Sequence, residues 1–357
     1  MNGPRIAALA WCVLGLGTLV SAHKPVTSPY TYTADVQPIL ASRCGNCHNP
    51  SGVAPMSLLT YSDAVPWGES MRQELMTGHM PPWGVDRAPS LFRNSTVLSA
   101  RELNVLLTWA TGGTPPGDLV NADASASVHQ AAWTLDAPDI VLPLPAIELR
   151  PDENERVAEF VVPTAFSSTR WVRAVDLLPG TPAIVRSATI AVRGGNVPPG
   201  IERMLSLWQP ADERVTTAGT SAFMVPAGSE LAVRIHYRKT WHYDGMPMSD
   251  RGSIGLYLAP AASVPVRSLP LSSTRAITTT RKSRALAIYA DDVPADTGVV
   301  VTATFPNGRR QDLIAFHPSP GWSRRFWYAQ PIALPRGTTI AVRATPVRMV
   351  RLVLNVD

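Results

Sequence analysis

Cys44 and Cys47 are separated by two residues and His48 follows at once, so residues 44–48 read Cys-Gly-Asn-Cys-His. In that order two thiols can add to the vinyl groups of a haem, and the adjacent imidazole is then held beneath the iron by its own backbone. A Cys-x-x-Cys pair also serves as a redox dithiol or as half of a zinc site. The immediate histidine, an export-type leader and the lack of a second cysteine pair argue against both. One covalent haem c is the expected cofactor, bound through Cys44, Cys47 and His48. A sixth iron ligand has to come from a later loop, and His79-Met80-Pro81-Pro82-Trp83 supplies the leading candidate. Two consecutive prolines lack amide donors and keep Met80 out of a helix, so its thioether is offered from a stiff extended segment. His79, Met56 or an open position are the alternatives. The expected metal ligands are therefore His48 and Met80, and a methionine sulfur raises the reduction potential relative to a second imidazole. Trp67 and Trp83 are expected to pack against the porphyrin, and Met56, Met71 and Met76 to fill the core.

These residues need helices to present them. From residue 33 to 113 the pattern is helical in three segments. The first, over 34–43, sets Val36, Ile39, Leu40 and Cys44 near one face and runs directly into the cysteines. The second, over 63–77, spaces Ala64, Trp67, Met71 and Leu75 at helical intervals and stops at Gly78. The third starts at a capping box, Ser99 with Glu102, followed by Leu103, Leu106, Leu107 and Ala110.

At 357 residues the chain is long enough for two or three domains. Its 45% hydrophobic and 17% charged residues are those of a globular protein, and 34 prolines with few long helical patterns predict mostly strands and turns. Residues 1–22 read as a signal peptide or membrane anchor: Arg5 precedes an uncharged stretch ending in Val20-Ser21-Ala22, a small-residue cleavage pattern. The mature chain then faces a periplasmic or other extracytoplasmic space. Cys12 leaves with the leader, so only Cys44 and Cys47 remain and no disulfide framework is expected.

After the unit at 30–118 and a linker at 119–135, which overlaps a Pro/Gly and small-residue stretch over 114–127, short apolar or alternating runs punctuated by Pro and Gly predict two sandwiches. One spans 136–262, with strands near 140–142, 156–162, 171–177, 183–192, 230–237 and 253–258. The other spans 266–357, with strands near 285–290, 299–305, 312–316, 338–344 and 347–356. The expected fold is thus multidomain: a small all-α cytochrome c domain followed by two all-β sandwiches. Residues 266–357 carry thirteen basic against five acidic side chains, or +8. Such a field suits an acidic protein partner, a membrane redox complex or an anionic surface, against the plainer reading of solvated strand faces, and no nucleic-acid motif accompanies it.

Taken together, these segments resemble bacterial fusions of a c-type cytochrome domain to a copper type II, ascorbate-dependent monooxygenase-like module, related to peptidylglycine hydroxylating monooxygenases. The resemblance rests on DVQPILASRCGNCHNPSGVAPMSLLTYSDAVPW followed by HMPPW, and later on HYRKTWHYDGMPMSDRGSIGLYLA, FPNGRRQDLIAF, Trp322, Tyr328 and LPRGTTIAV. It implies Met80 as the axial ligand, two jelly-roll-like sandwiches and copper held by imidazoles. The copper motifs are mostly missing. Arg186 and Ser187 stand where the family carries a His-His pair, and AIYADDVPAD stands where it carries a His-x-His pair, near Ala290 to Asp292. An arginine cation does not ligate copper and His236 alone cannot hold it tightly. His236, His242, Met246 and Met248 could offer soft ligands to Cu(I), against the plainer reading of a surface loop. His129 and His317 are isolated in sequence. The expected function is electron transfer by an exported mono-haem cytochrome whose sandwiches serve docking, with copper unlikely and no catalytic residue assigned. A haem-copper monooxygenase with an atypical copper site, or a structural subunit of a membrane redox complex, are the alternatives.

Overall fold

The backbone from residue 32 first winds as a wide turn, Tyr32–Val36, then tightens into α1, Gln37–Arg43, which ends with the Cys44 amide on the Leu40 carbonyl. The 357-residue chain was analysed as a computed structural model, which describes residues 27–82, 85–86, 89–93, 97–118, 132–210, 216–318 and 324–357. The leader, Cys12, Trp83, His129, Trp322 and residues 119–131 lie outside these.

The segment expected as one helix over 63–77 is divided. α2, Tyr61–Ala64, gives way to a single tight turn at Val65–Trp67 containing Pro66, and α3, Gly68–Thr77, follows. A proline inside a helical pattern removes an amide donor and interrupts the run, which is the physical reason for the break. α3 ends where expected: Gly78 adopts φ +72° and closes the last turn on Glu74 and Leu75. α4, Ala100–Thr111, starts at the expected capping box, with Ser99 and Glu102 each satisfying the other's backbone amide. Tyr32, Val36, Leu40, Leu58, Ala64, Val105, Leu106 and Trp109 form the apolar centre of this helical unit.

The rest of the chain is almost entirely antiparallel β-structure. The strands are β1 Ile140–Pro143, β2 Ile147–Leu149, β3 Glu155–Pro163, β4 Arg170–Leu178, β5 Val185–Arg193, β6 Met204–Trp208, β7 Ser221–Val225, β8 Glu230–Arg238, β9 Met248–Asp250, β10 Ser253–Leu258 and β11 Val264–Pro265. They continue with β12 Arg267–Ser272, β13 Ile277–Thr278, β14 Ser283–Asp292, β15 Gly298–Thr304, β16 Arg310–Phe316, β17 Arg325–Leu334, β18 Thr339–Thr345 and β19 Arg351–Val356. A five-stranded sheet β1-β10-β4-β7-β11 and a four-stranded sheet β3-β8-β5-β6 share one apolar core, with β2-β9 as a small extra ladder. Two four-stranded sheets, β12-β19-β14-β17 and β13-β18-β15-β16, share a second core. In both sandwiches alternation directs the choice of face: along β8, Leu231, Val233, Ile235 and Tyr237 turn inward, while Arg234, His236 and Arg238 turn outward.

Residues 85–86 and 89–93, read from the sequence as part of the helical unit, instead lie against the second sandwich. Val85 bridges to Phe316 and Phe92 to Tyr328, and Val85 and Phe92 belong to that sandwich's core. The Arg93 guanidinium also donates to the Thr216 carbonyl of the first sandwich at 2.9 Å. The helical unit is thereby tied to both sandwiches just after the Met80 loop.

Candidate haem-attachment site

Residues 44–48 form one compact turn after α1, with the amides of Cys47 and His48 both on the Cys44 carbonyl, at 3.1 and 2.9 Å. Buried Asn49 holds this turn from inside, donating to the Gly45 carbonyl at 2.9 Å and accepting from the Ser51 amide. Two glycines are required by space. A Cβ at Gly45 would stand 2.6 Å from the Ala41 carbonyl oxygen, and one at Gly52 would stand 2.1 Å from that of Cys47.

Neither cysteine is in a disulfide, and both are half-buried. Burial, with Cys47 beside it, pushes the Cys44 thiol up to about 12. Cys44 also caps the C-terminal end of α1, where the helix dipole disfavours an anion. A reactive redox dithiol needs the opposite, a lowered thiol at a helix N-terminus. Nor does the turn gather metal ligands: among the described residues no group of three or more His, Cys, Asp or Glu side chains could hold a metal ion.

The His48 ring is fixed by one bond. Its Nδ1 lies 3.2 Å from the Met56 carbonyl oxygen, which can only accept, so Nδ1 carries the proton and Nε2 keeps its lone pair. Burial lowers the His48 pKa, favouring that neutral form. A ring held at Nδ1 by a carbonyl, with Nε2 available, is the arrangement that second-sphere bonding gives to iron-ligating histidines. The two thiols on the same turn, neither in a disulfide, and this tautomer fit a covalently attached haem.

Met80 follows the Gly78 turn, its amide 3.3 Å from the Glu74 carbonyl, and its side chain is 38% exposed. His79 is engaged elsewhere, with Nδ1 3.3 Å from Glu74 Oε2. The helix that ends here packs Met71 and Leu75 against the cluster that also takes Cys44, Met56 and Trp67. Met76 does not fill the core as expected; it is 64% exposed, because it lies one position past Leu75 and turns away from that face.

The other singled-out residues are dispersed. His236 Nε2 donates to Glu155 Oε1 at 2.6 Å on the outer face of the first sandwich. His242 lies edge-on to Trp241 and Tyr243, Met246 is exposed, and Met248 packs against the first core. His317 Nδ1 is 3.0 Å from Asp86 Oδ1. Tyr237 and Asp250, both within the later resembling segment, are joined by a buried hydrogen bond of 3.1 Å. The +8 of the last third is partly spent on ion pairs, Arg284 with Asp357, Arg348 with Asp296 and Arg351 with Asp291 and Asp292.

Two clusters were not visible in the sequence. Glu155 meets both His236 and Arg238, a cross-strand relation that only the β3–β8 register creates. Glu202, Tyr289, Arg325 and Asn355 form a buried polar group between the sandwiches: Tyr289 and Asn355 donate to Glu202, while Arg325 donates to the Leu205 carbonyl at 3.1 Å and the Met204 carbonyl at 2.6 Å. An alternating strand that carries an arginine at an inward position, as β17 does at Arg325, was the available signal.

No family model matches the chain, and no curated protein matches it. Among solved structures it aligns with the turret protein A223 of Sulfolobus turreted icosahedral virus at 12% identity, over 61% of this chain and 98% of that one, with a TM-score of 0.16. It also aligns with a chain of that virus's atomic structure, at 12% identity over 64% and 95%, TM-score 0.14, and with vicilin from Solanum melongena, at 11% identity over 57% and 74%, TM-score 0.11. Overlaps of this quality carry no argument about fold or function.

Proposed function

We propose that this chain is an exported mono-haem c-type cytochrome that carries single electrons, and that its two sandwiches are a docking body related to copper monooxygenase modules that have lost most copper ligands. The observation that carries the reading is the turn at residues 44–48: two thiols outside any disulfide, with an imidazole whose Nδ1 is committed to Met56 and whose Nε2 is available. When bound, the haem supplies a one-electron iron couple. Cys44 and Cys47 would anchor it and His48 would ligate the iron, with Met80, offered by the two prolines after α3, as a second iron ligand. Two buried leucines flank the turn, Leu58 with its amide on the His48 carbonyl and Leu59 against Gly45. The arginine-rich last third meets an acidic protein partner in the periplasm or another extracytoplasmic space.

The test is to express the chain with a cytochrome c maturation system and measure haem and copper per polypeptide on one purified sample. One haem and no copper supports electron transfer. Stoichiometric copper moves a haem-copper monooxygenase to first place, and no haem refutes the reading.

A further inference from the structure

β5 joins the sheet β3-β8-β5-β6 with one residue too many. Val185 faces Tyr237 and Ser187 faces His236, so two steps along β5 match one along β8 and Arg186 is the extra residue. A bulge takes its residue out of the ladder and re-aims the side chain. Arg186 is half-buried, its Nε is enclosed without a hydrogen-bond partner, and among the described residues it takes part in no ion pair.

Every other charged side chain on that sheet is paired. Arg193 lies 3.9 Å from Glu230, Arg234 lies 3.6 Å from Glu159, and Arg156 is paired with Glu153. Glu155 is used twice: its Oε1 is 2.6 Å from His236 Nε2 and its Oε2 is 3.9 Å from Arg238 Nε, so neither oxygen is spare. The surplus cation of the sheet is thus the enclosed one. The register also sets it beside like charge, because its neighbour Val185 faces Tyr237 and Arg238 follows Tyr237. Burial, and then the Arg238 cation, hold the Arg186 pKa below the usual guanidinium value. The group keeps its charge all the same, since a guanidinium does not deprotonate in a protein. An enclosed cation without a counter-ion is costly, and this sheet offers it no carboxylate.

We propose that the bulge at Arg186 is a binding site for a small free oxyanion, a carboxylate or a phosphate, held by the Arg186 guanidinium with Arg238 beside it. A guanidinium presents paired N–H donors in a flat fork that matches two oxygens of either group. Arg238, which meets Glu155 only at 3.9 Å, turns toward the same anion, while His236 keeps Glu155 occupied and away from it. The half-buried position of Arg186 selects a small group that reaches below the surface over a broad protein face. The site uses none of Cys44, Cys47, His48 and Met80, so it stands whether or not the chain carries haem.

The experiment is isothermal titration calorimetry of the purified, matured full-length chain at pH 7 and fixed ionic strength, with succinate and inorganic phosphate as the probes and chloride as the background anion. The expected result is one saturable site per chain for at least one probe. Tighter succinate assigns the ligand as a carboxylate, and tighter phosphate assigns it as a phosphate. Arg186→Met weakens binding about tenfold or more, and Arg186→Lys recovers part of the loss. Arg343→Met, which removes the same charge from an exposed position on β18, leaves binding unchanged. No saturable binding of either probe to the wild type, or an equal loss in Arg343→Met, overturns the proposal. If Arg186→Met does not fold, Arg238→Met reads the site from a more exposed side chain: weakening of about threefold supports it, and no change overturns it. A chain without covalent haem that still binds the anion through Arg186 removes the cytochrome reading alone, whereas a haem protein that binds neither probe removes this proposal alone.

Discussion

The Nδ1 of His48 lies 3.2 Å from the backbone carbonyl oxygen of Met56, and that single bond decides which nitrogen of the ring is free. Because the acceptor is backbone, the Met56 side chain is not needed for it. Met56→Leu should mature with an unchanged methionine-to-iron absorption band. Met80→Ala should lose that band and lower the potential, and His79→Ala should keep it, since His79 is held by Glu74 at 3.3 Å. Loss of the band in Met56→Leu, with Met80→Ala unaffected, would exchange the two roles.

Glu102 joins two elements. Its carboxylate caps the Ser99 amide at 2.7 Å and accepts from Arg43 at 3.0 Å, tying α4 to the end of α1 just before Cys44. Burial pulls its carboxyl upward, but the bonds from Ser99 and Arg43 together outweigh this and hold it below the usual carboxylate range. With the folded value below the unfolded one of about 4.3, the contribution is present above that value and is lost as pH falls through the folded one. Glu102→Ala should cost about 1 kcal/mol at pH 7 by denaturant unfolding, and less at pH 3. An equal cost at both pH values would show that the carboxylate charge is not involved.

How far the sequence could be read follows from which signals are local. The capping box at Ser99, the stop at Gly78 and the position of the cysteines at the end of α1 are short-range and were legible. The division of the second helix at Pro66 was legible in principle, because the proline is there to be read. The docking of Val85 and Phe92 on the second sandwich was not, since they find their partners more than two hundred residues away, at Phe316 and Tyr328. The bulge at Arg186 likewise exists only in the register between β5 and β8. The composition of the attachment site was thus visible at once, and its surroundings were not.

Arg325 is the rivet between the sandwiches. It leaves β17 to donate to the Met204 and Leu205 carbonyls of β6, and its guanidinium lies 5.2 Å from the Phe223 ring, 5.0 Å from that of Tyr289 and 5.5 Å from that of Trp327. Arg325→Met should leave the buried Met204 and Leu205 carbonyls without their donor, and destabilise the protein by roughly 1–3 kcal/mol or more in urea unfolding. An unchanged midpoint would mean that water replaces the guanidinium without loss.

The central claim is that Cys44 and Cys47 carry a covalent haem, and the intact mass of the denatured, matured chain tests it most directly. The account predicts the polypeptide plus one haem, surviving acid and organic extraction, with the haem held by one thioether instead of two in Cys44→Ser. A bare polypeptide mass with two titratable thiols, from cells that mature other c-type cytochromes, would contradict it.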